Sequence, residues 1–445
     1  MIPLFGIFLF SLGIPALFLL NRDREAHTSK ALWLPVLWLS LAGSRMVSQW
    51  VGVRLGADWP PDVLMEGSPI DRNVVAVLIA LGLIVLFARG VQVATLLRVN
   101  APILLFSFYC ATSILWSDFP DIAFKRWFKA LGDVVMVLVV LTDSAGTAAI
   151  KRLLARVGFV LIPVSILMIY FLHMGLGYYG EWGTKPLLTG VTLNKNMLGL
   201  DCLVFGLGSF WCFFEASQDG EQKRRTGPRI AHAIVLAMAV WLLVMGDSMT
   251  PLVCLMLAGG LIMLMRRPMF SRRPALIHFV VCGVLSVCAS AVLLDVGLVE
   301  KLGRDPTLTG RTEIWHEVVA MTTNPLVGTG FESFWLGDRY REMGNRHWWR
   351  PNEAHNGYLE VYINLGWVGV ALLGLLMVTG YGNVLGILRH DPKTGSLKLA
   401  YLVVAAIYSL TEAGFRMMDL MWIFFLFATI AVPKMSEEET LETIR

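Results

Sequence analysis

The chain has 445 residues, 56% of them hydrophobic and 16% charged, with a net charge of +4. Soluble domains carry about 25% charged residues, so composition excludes a string of soluble domains and points to an all-α polytopic membrane protein. The small positive charge gives no indication of nucleic acid, because Lys and Arg are spread between apolar runs and form no basic patch.

Apolar runs of bilayer-crossing length appear near 2–20, 31–53, 73–88, 101–116, 127–142, 156–174, 196–214, 230–245, 251–265, 276–296 and 357–381. A last stretch, 399–433, is too long for one span, and Glu412, Arg416 and Asp419 divide it into two, so the expectation is 12 or 13 transmembrane helices. Met1 to Leu20 has no basic start and no small-residue cleavage site and reads as a retained span. All six cysteines fall inside apolar runs and read as small core hydrophobes, which argues against a disulfide framework or a Cys-bound metal.

The exception to this pattern is a polar island of about sixty residues, Leu298 to Gly357. The expected organisation is transmembrane helices over 1–297, a large loop over 298–357, C-terminal helices over 358–433 and a cytoplasmic tail over 434–445. One set of connecting segments carries 19 Lys and Arg and the alternate set 8. The positive-inside rule makes the first set cytoplasmic and places the loop outside, in the periplasm of a Gram-negative cell. Within the loop, Ile314, Val318 and Met321 recur at helical spacing, predicting a helix over 312–323 that Thr309 or Thr312 caps. Asn324-Pro325, Gly328 and Gly330 end it, and the aromatic-rich segment 331–349 is expected along the membrane face.

Arg311 at the head of that helix is unfavourable for the dipole unless an anion such as phosphate or diphosphate binds there. The plainer reading is a solvated loop arginine. His355 lies just before the next span and can act as a general base oriented by Glu353, or be an interfacial histidine bonded to backbone. Lys195 and Asn196 open another span on the same side, where Lys195 either anchors an anion or snorkels. The segment containing Lys125, Arg126 and Lys129 is more basic than its side favours, which suggests an anionic ligand outside. Arg45, Asp133, Asp201 and Asp247 lie in or at the ends of spans and are read first as structural polar contacts. No H-E-x-x-H pattern, Asp cluster, Walker loop or G-x-G-x-x-G is present. The expectation is therefore no metal and no nucleotide cofactor, with an already activated leaving group stabilised by protein cations.

In order, Trp116-Ser117 to Pro120, Thr189 to Asn196, Gly246 to Thr250, Thr309 to Trp315, Asn324 to Gly330, Ala354 to Tyr358 and Leu365-Gly366 resemble the O-antigen ligase and polymerase superfamily, in its exopolysaccharide-polymerase branch. The resemblance covers about residues 100–430. It implies a GT-C-like, metal-independent glycosyltransferase that uses a polyprenyl-diphosphate-linked oligosaccharide as donor and a growing polysaccharide as acceptor. Chain-length regulators and export proteins are the implied partners, in the bacterial inner membrane. By the same resemblance, Arg311 binds the leaving diphosphate, His355 is the base, and Lys195 takes an upstream position where ligases of the family usually have arginine. Transfer of finished glycan to lipid A core or protein is the alternative within the class, and a transporter or flippase for lipid-linked sugars the alternative outside it.

Overall fold

The structure is a computed structural model that describes residues 2–22, 28–52, 67–177, 186–216, 226–271, 273–293, 307–347 and 350–431. The expected boundary at 297/298, the first residues of the loop, Trp348, Trp349 and the tail at 434–445 lie outside the described residues.

Helices dominate: α1 (Ile2–Leu20), α2 (Trp33–Ala42), α3 (Pro69–Ala88), α4 (Gly90–Val99), α5 (Ala101–Thr112), α6 (Pro120–Leu141), α7 (Thr147–Ile166), α8 (Lys195–Glu215), α9 (Thr226–Met245), α10 (Met249–Met265) and α11 (Pro274–Leu293). After these come α12 (Thr307–Ala320), α13 (Gly337–Arg346), α14 (Gly357–His390), α15 (Pro392–Tyr408) and α16 (Leu420–Thr429). One short antiparallel hairpin pairs Leu176 with Leu188 ahead of α8. The chain is an all-α polytopic membrane protein.

Among the described residues seven helices are long and apolar enough to cross a membrane, or eight if the bent pair at 93–116 counts as one. The expected 12 or 13 spans are not met on this criterion, for two physical reasons. Some apolar runs make shorter helices, such as 30–42, 249–265 and 420–429. Others differ: α15 has only 17 residues, and both it and the longer α6 carry charges that the interior satisfies. Asp133 on α6 accepts from Trp38 Nε1 and from the Met418 amide, both at 2.9 Å. Lys398 on α15 donates to the Ile430 carbonyl at 3.1 Å, where the carbonyl end of the α16 dipole favours a cation. The innermost helices are α8, most of whose residues are buried, and α15 and α16, whose residues are nearly all buried.

One irregularity positions the loop. The turn at 324–330 docks against a break in α14, where Gly366 has φ 64° and ψ −167°. The amides of Trp367 and Val368 donate to the Pro325 and Leu326 carbonyls, and those of Thr329 and Gly330 to Ile363 and Asn364. Backbone groups freed by the break thus find partners in the turn, as irregular backbone within a membrane requires. A Cβ on Gly366 would collide with the Leu326 carbonyl. Gly366→Ala is therefore expected to destabilise the protein by at least about 2 kcal/mol, from backbone strain and lost packing. The check is the thermal midpoint of the solubilised protein, which should fall clearly below that of Gly374→Ala, a site where a Cβ meets nothing.

Candidate active site

The N-termini of α8 and α14, the α15–α16 linker and the polar loop meet at one end of the bundle. The loop has its own small core: Ile314 and Val318 pack with Phe334, Trp335, Met343, Ala354 and Ile363. The helix over this segment begins at Thr307, not near 312. Arg311 is therefore one turn inside it rather than at its head, and the expected cap at Thr309 or Thr312 gives way to an earlier start. The dipole argument weakens accordingly, and the side-chain contacts of Arg311 carry the case instead.

Those contacts run to the α15–α16 linker. Arg311 donates to the Thr411 carbonyl and lies 3.0 Å from Glu412 Oε1. His355 Nδ1 lies 3.0 Å from Glu353 Oε1 and 3.4 Å from Glu412 Oε2. Asn196, in the first turn of α8, donates to the same Glu412 oxygen at 3.2 Å. Glu412 thus joins three elements that the sequence keeps far apart. Lys195 is adjacent, but its Nζ lies 3.4 Å from the Asp247 carbonyl.

Capping explains why these side chains arrive together. Asn194 caps α8 by accepting from the Met197 amide at 2.8 Å, which sets Asn196 at the helix mouth. Asn356 caps α14 through the Leu359 amide and donates to the Leu410 carbonyl at 3.1 Å. The Gly357 amide reaches the Ser409 carbonyl at 2.8 Å. The loop end is in this way stitched to the linker. Trp315 Nε1 holds the Ala354 carbonyl at 2.8 Å, fixing the residue before His355.

A second charged group adjoins the first. Arg416 lies 3.3 Å from Glu332 Oε2 and 3.6 Å from Glu353 Oε2, so Glu353 bridges Arg416 and His355. Arg126 donates to the Glu332 carbonyl. It sits on α6, which starts at Pro120, and so is a helix residue rather than part of the expected loop. Beside Arg416 a small cavity of about 40 Å³ is lined by Phe106, Trp127, Phe331, Phe415 and Trp422, with Glu332 and Glu360 also in its wall. Four non-glycine residues around this region have positive φ: Asp247, Glu332, His355 and Met418. Such conformations cost of order 1 kcal/mol or more each and collect where function fixes the backbone.

Burial alone would lower the His355 pKa, but hydrogen bonds to Glu353 and Glu412 and their charges raise it to about 9. For Glu353 burial acts upward, and the His355 bond with the charges of His355, Arg416 and Arg311 outweighs it, bringing the carboxyl down to about 2. At neutral pH the pair is an imidazolium beside a carboxylate.

Among the described residues Glu353, His355 and Glu412 also place three donor atoms within 4.8 Å of one another, a grouping that the expectation of no metal did not foresee. Each of these carboxylates already faces a guanidinium, Arg416 for Glu353 and Arg311 for Glu412. That pairing offsets the negative charge a divalent cation would need. The arrangement suits anion binding and proton transfer better.

Sequence reading missed Glu412 and Arg416 as site residues, and Glu332 altogether. The available signal was the cost of ionisable groups inside an apolar stretch; Glu412 and Arg416 served only to divide 399–433 into two.

The fold and this cluster define a multi-pass, all-α membrane protein with a polar site at a loop-bearing end. Residues 233–374 match the family described as O-antigen ligase, a segment that contains both Arg311 and His355. The chain is also 24% identical over 307 residues to the exopolysaccharide production protein ExoQ of Rhizobium meliloti (strain 1021), covering 66% of this chain and 67% of that protein. Over these segments the chain is thus similar to proteins of the O-antigen ligase-like superfamily.

Proposed function

We propose that the protein is a membrane glycosyltransferase of exopolysaccharide or O-antigen production that polymerises polyprenyl-diphosphate-linked oligosaccharide units at the outer face of the inner membrane. The observation that carries this reading is that Arg311 and His355 converge on Glu412 at the end of the bundle, beside a small cavity with an aromatic wall. The relative's name, exopolysaccharide production protein, supports the pathway.

In this reading a hydroxyl of the acceptor sugar attacks the anomeric carbon of the donor. The new C–O bond forms as the bond to the diphosphate breaks, with inversion. Arg311 takes the charge developing on the departing diphosphate, and His355 takes the hydroxyl proton. Glu353 holds the imidazole in place and stabilises its charged form, as a carboxylate beside a catalytic histidine does. Asn196 and Arg126 bound the substrate space, and Lys195 supplies positive charge at the mouth of α8. The aromatic part of the wall beside Arg416 supports an isoprenoid chain as the lipid part of the donor.

The matched family's description favours a ligase as the second reading. One assay tests both. Purified protein is given lipid-linked repeat units, with lipid A core also present as acceptor, and the products are resolved by size. A ladder of increasing length is the expected result, with a prenyl diphosphate released per step. Single transfer to lipid A core without a ladder would establish the ligase instead.

A further inference from the structure

We propose that Glu412 is a positioning residue whose carboxylate occupies the seat on Arg311 that the donor's diphosphate takes, so that donor binding exchanges one anion for the other. This inference rests on the diphosphate-donor reading above and assigns a role to a residue outside the matched segment 233–374.

The argument is geometric. Arg311 presents its fork to two oxygens of the α15–α16 linker, the Thr411 carbonyl and Glu412 Oε1. Two oxygens on one guanidinium are also what a phosphate offers. The Glu412 side chain is 9% exposed and that of Arg311 20% exposed, so the contact is partly desolvated. A phosphate that takes the Nη2 face of Arg311 therefore displaces a carboxylate rather than water. The displaced carboxylate has partners ready: its other oxygen already lies 3.4 Å from His355 Nδ1 and 3.2 Å from Asn196 Nδ2. Release from Arg311 lets Glu412 move wholly onto these two, and the catalytic histidine is then oriented in response to a bound donor. Recognition at α12 is in this way coupled to the proton acceptor at the mouth of α14. The cost is weaker donor binding, and the gain is a base that Glu412 helps Glu353 to hold more firmly when a leaving group is present.

The test uses inorganic pyrophosphate as the probe, titrated by calorimetry into the full-length solubilised protein. Removing the internal competitor with Glu412→Gln is expected to tighten pyrophosphate binding about tenfold, while Arg311→Gln weakens it by about tenfold or more. In chain growth, Glu412→Gln should lower both KM for donor and kcat, a split that mere loss of structure would not give. Equal or weaker pyrophosphate binding by a folded Glu412→Gln variant overturns the proposal. Should that variant not fold, Glu412→Asp retracts the carboxylate while keeping its charge, and a gain of about threefold is expected; no gain overturns the proposal equally. If the protein makes no ladder yet shows this binding pattern, the polymerase reading fails and the exchange stands. If wild type and both Glu412 variants all ignore pyrophosphate, the exchange itself is refuted.

Discussion

Replacing His355 with glutamine is expected to lower the rate of glycan transfer about 10²–10⁴-fold, the usual worth of a positioned general base, with little change in KM for the donor. The amide keeps a polar group near Glu353 and Glu412 but cannot accept the acceptor's proton. The pH profile carries the sharper form of this expectation. His355 is raised to about 9 by its two carboxylates, so its base form is scarce at neutral pH. The rate should therefore climb about tenfold per pH unit below that value and level off above it. Glu353→Gln removes one of the groups that raise it and should move the rising limb to lower pH. A rate that falls as pH passes 9 would mean that His355 works as a cation, and the base assignment would have to be withdrawn.

The second large effect is expected at Arg311. Arg311→Lys keeps the charge but loses the planar fork that serves the Thr411 carbonyl and Glu412 together. Transfer should fall about 10²-fold, chiefly through kcat, because the interaction strengthens as charge develops on the leaving diphosphate. Arg311→Gln removes the charge as well and should raise the donor KM in addition. Since Arg311 also docks α12 on the linker, the thermal midpoint of each variant must be read alongside. Normal folding with undiminished transfer in Arg311→Lys would rule out the fork as the functional element.

Much of the architecture could be read from residue order alone, because bilayer length and hydrophobic spacing are local properties. The small core of the loop follows from Ile314 and Val318 one turn apart, both almost fully buried. His355 was legible because it stands just before a span, and Arg311 because Gly310 and its flanking threonines read as the head of a helix that in fact starts at Thr307. What stayed hidden was their meeting place. Glu412 is 57 residues from His355 and 101 from Arg311, and nothing in local composition says that the α15–α16 linker folds over the mouth of α14. The start of α6 was hidden for a related reason. Lys125, Arg126 and Lys129 look like a loop, yet Arg126 finds the Glu332 carbonyl 206 residues away. The partners that make such charges tolerable inside a helix, as for Asp133 and Lys398, likewise come from distant segments.

The central claim is that this end of the bundle joins lipid-linked units into polymer. The most direct measurement is the structure of the lipid-linked glycan that accumulates in cells from which the chain is removed, together with the leaflet in which it lies. The account predicts single repeat units on the outer leaflet, restored to polymer by the wild-type chain but not by His355→Gln. Long polymer still attached to its lipid carrier would contradict it in favour of a ligase, and units held on the cytoplasmic leaflet would contradict it in favour of transport.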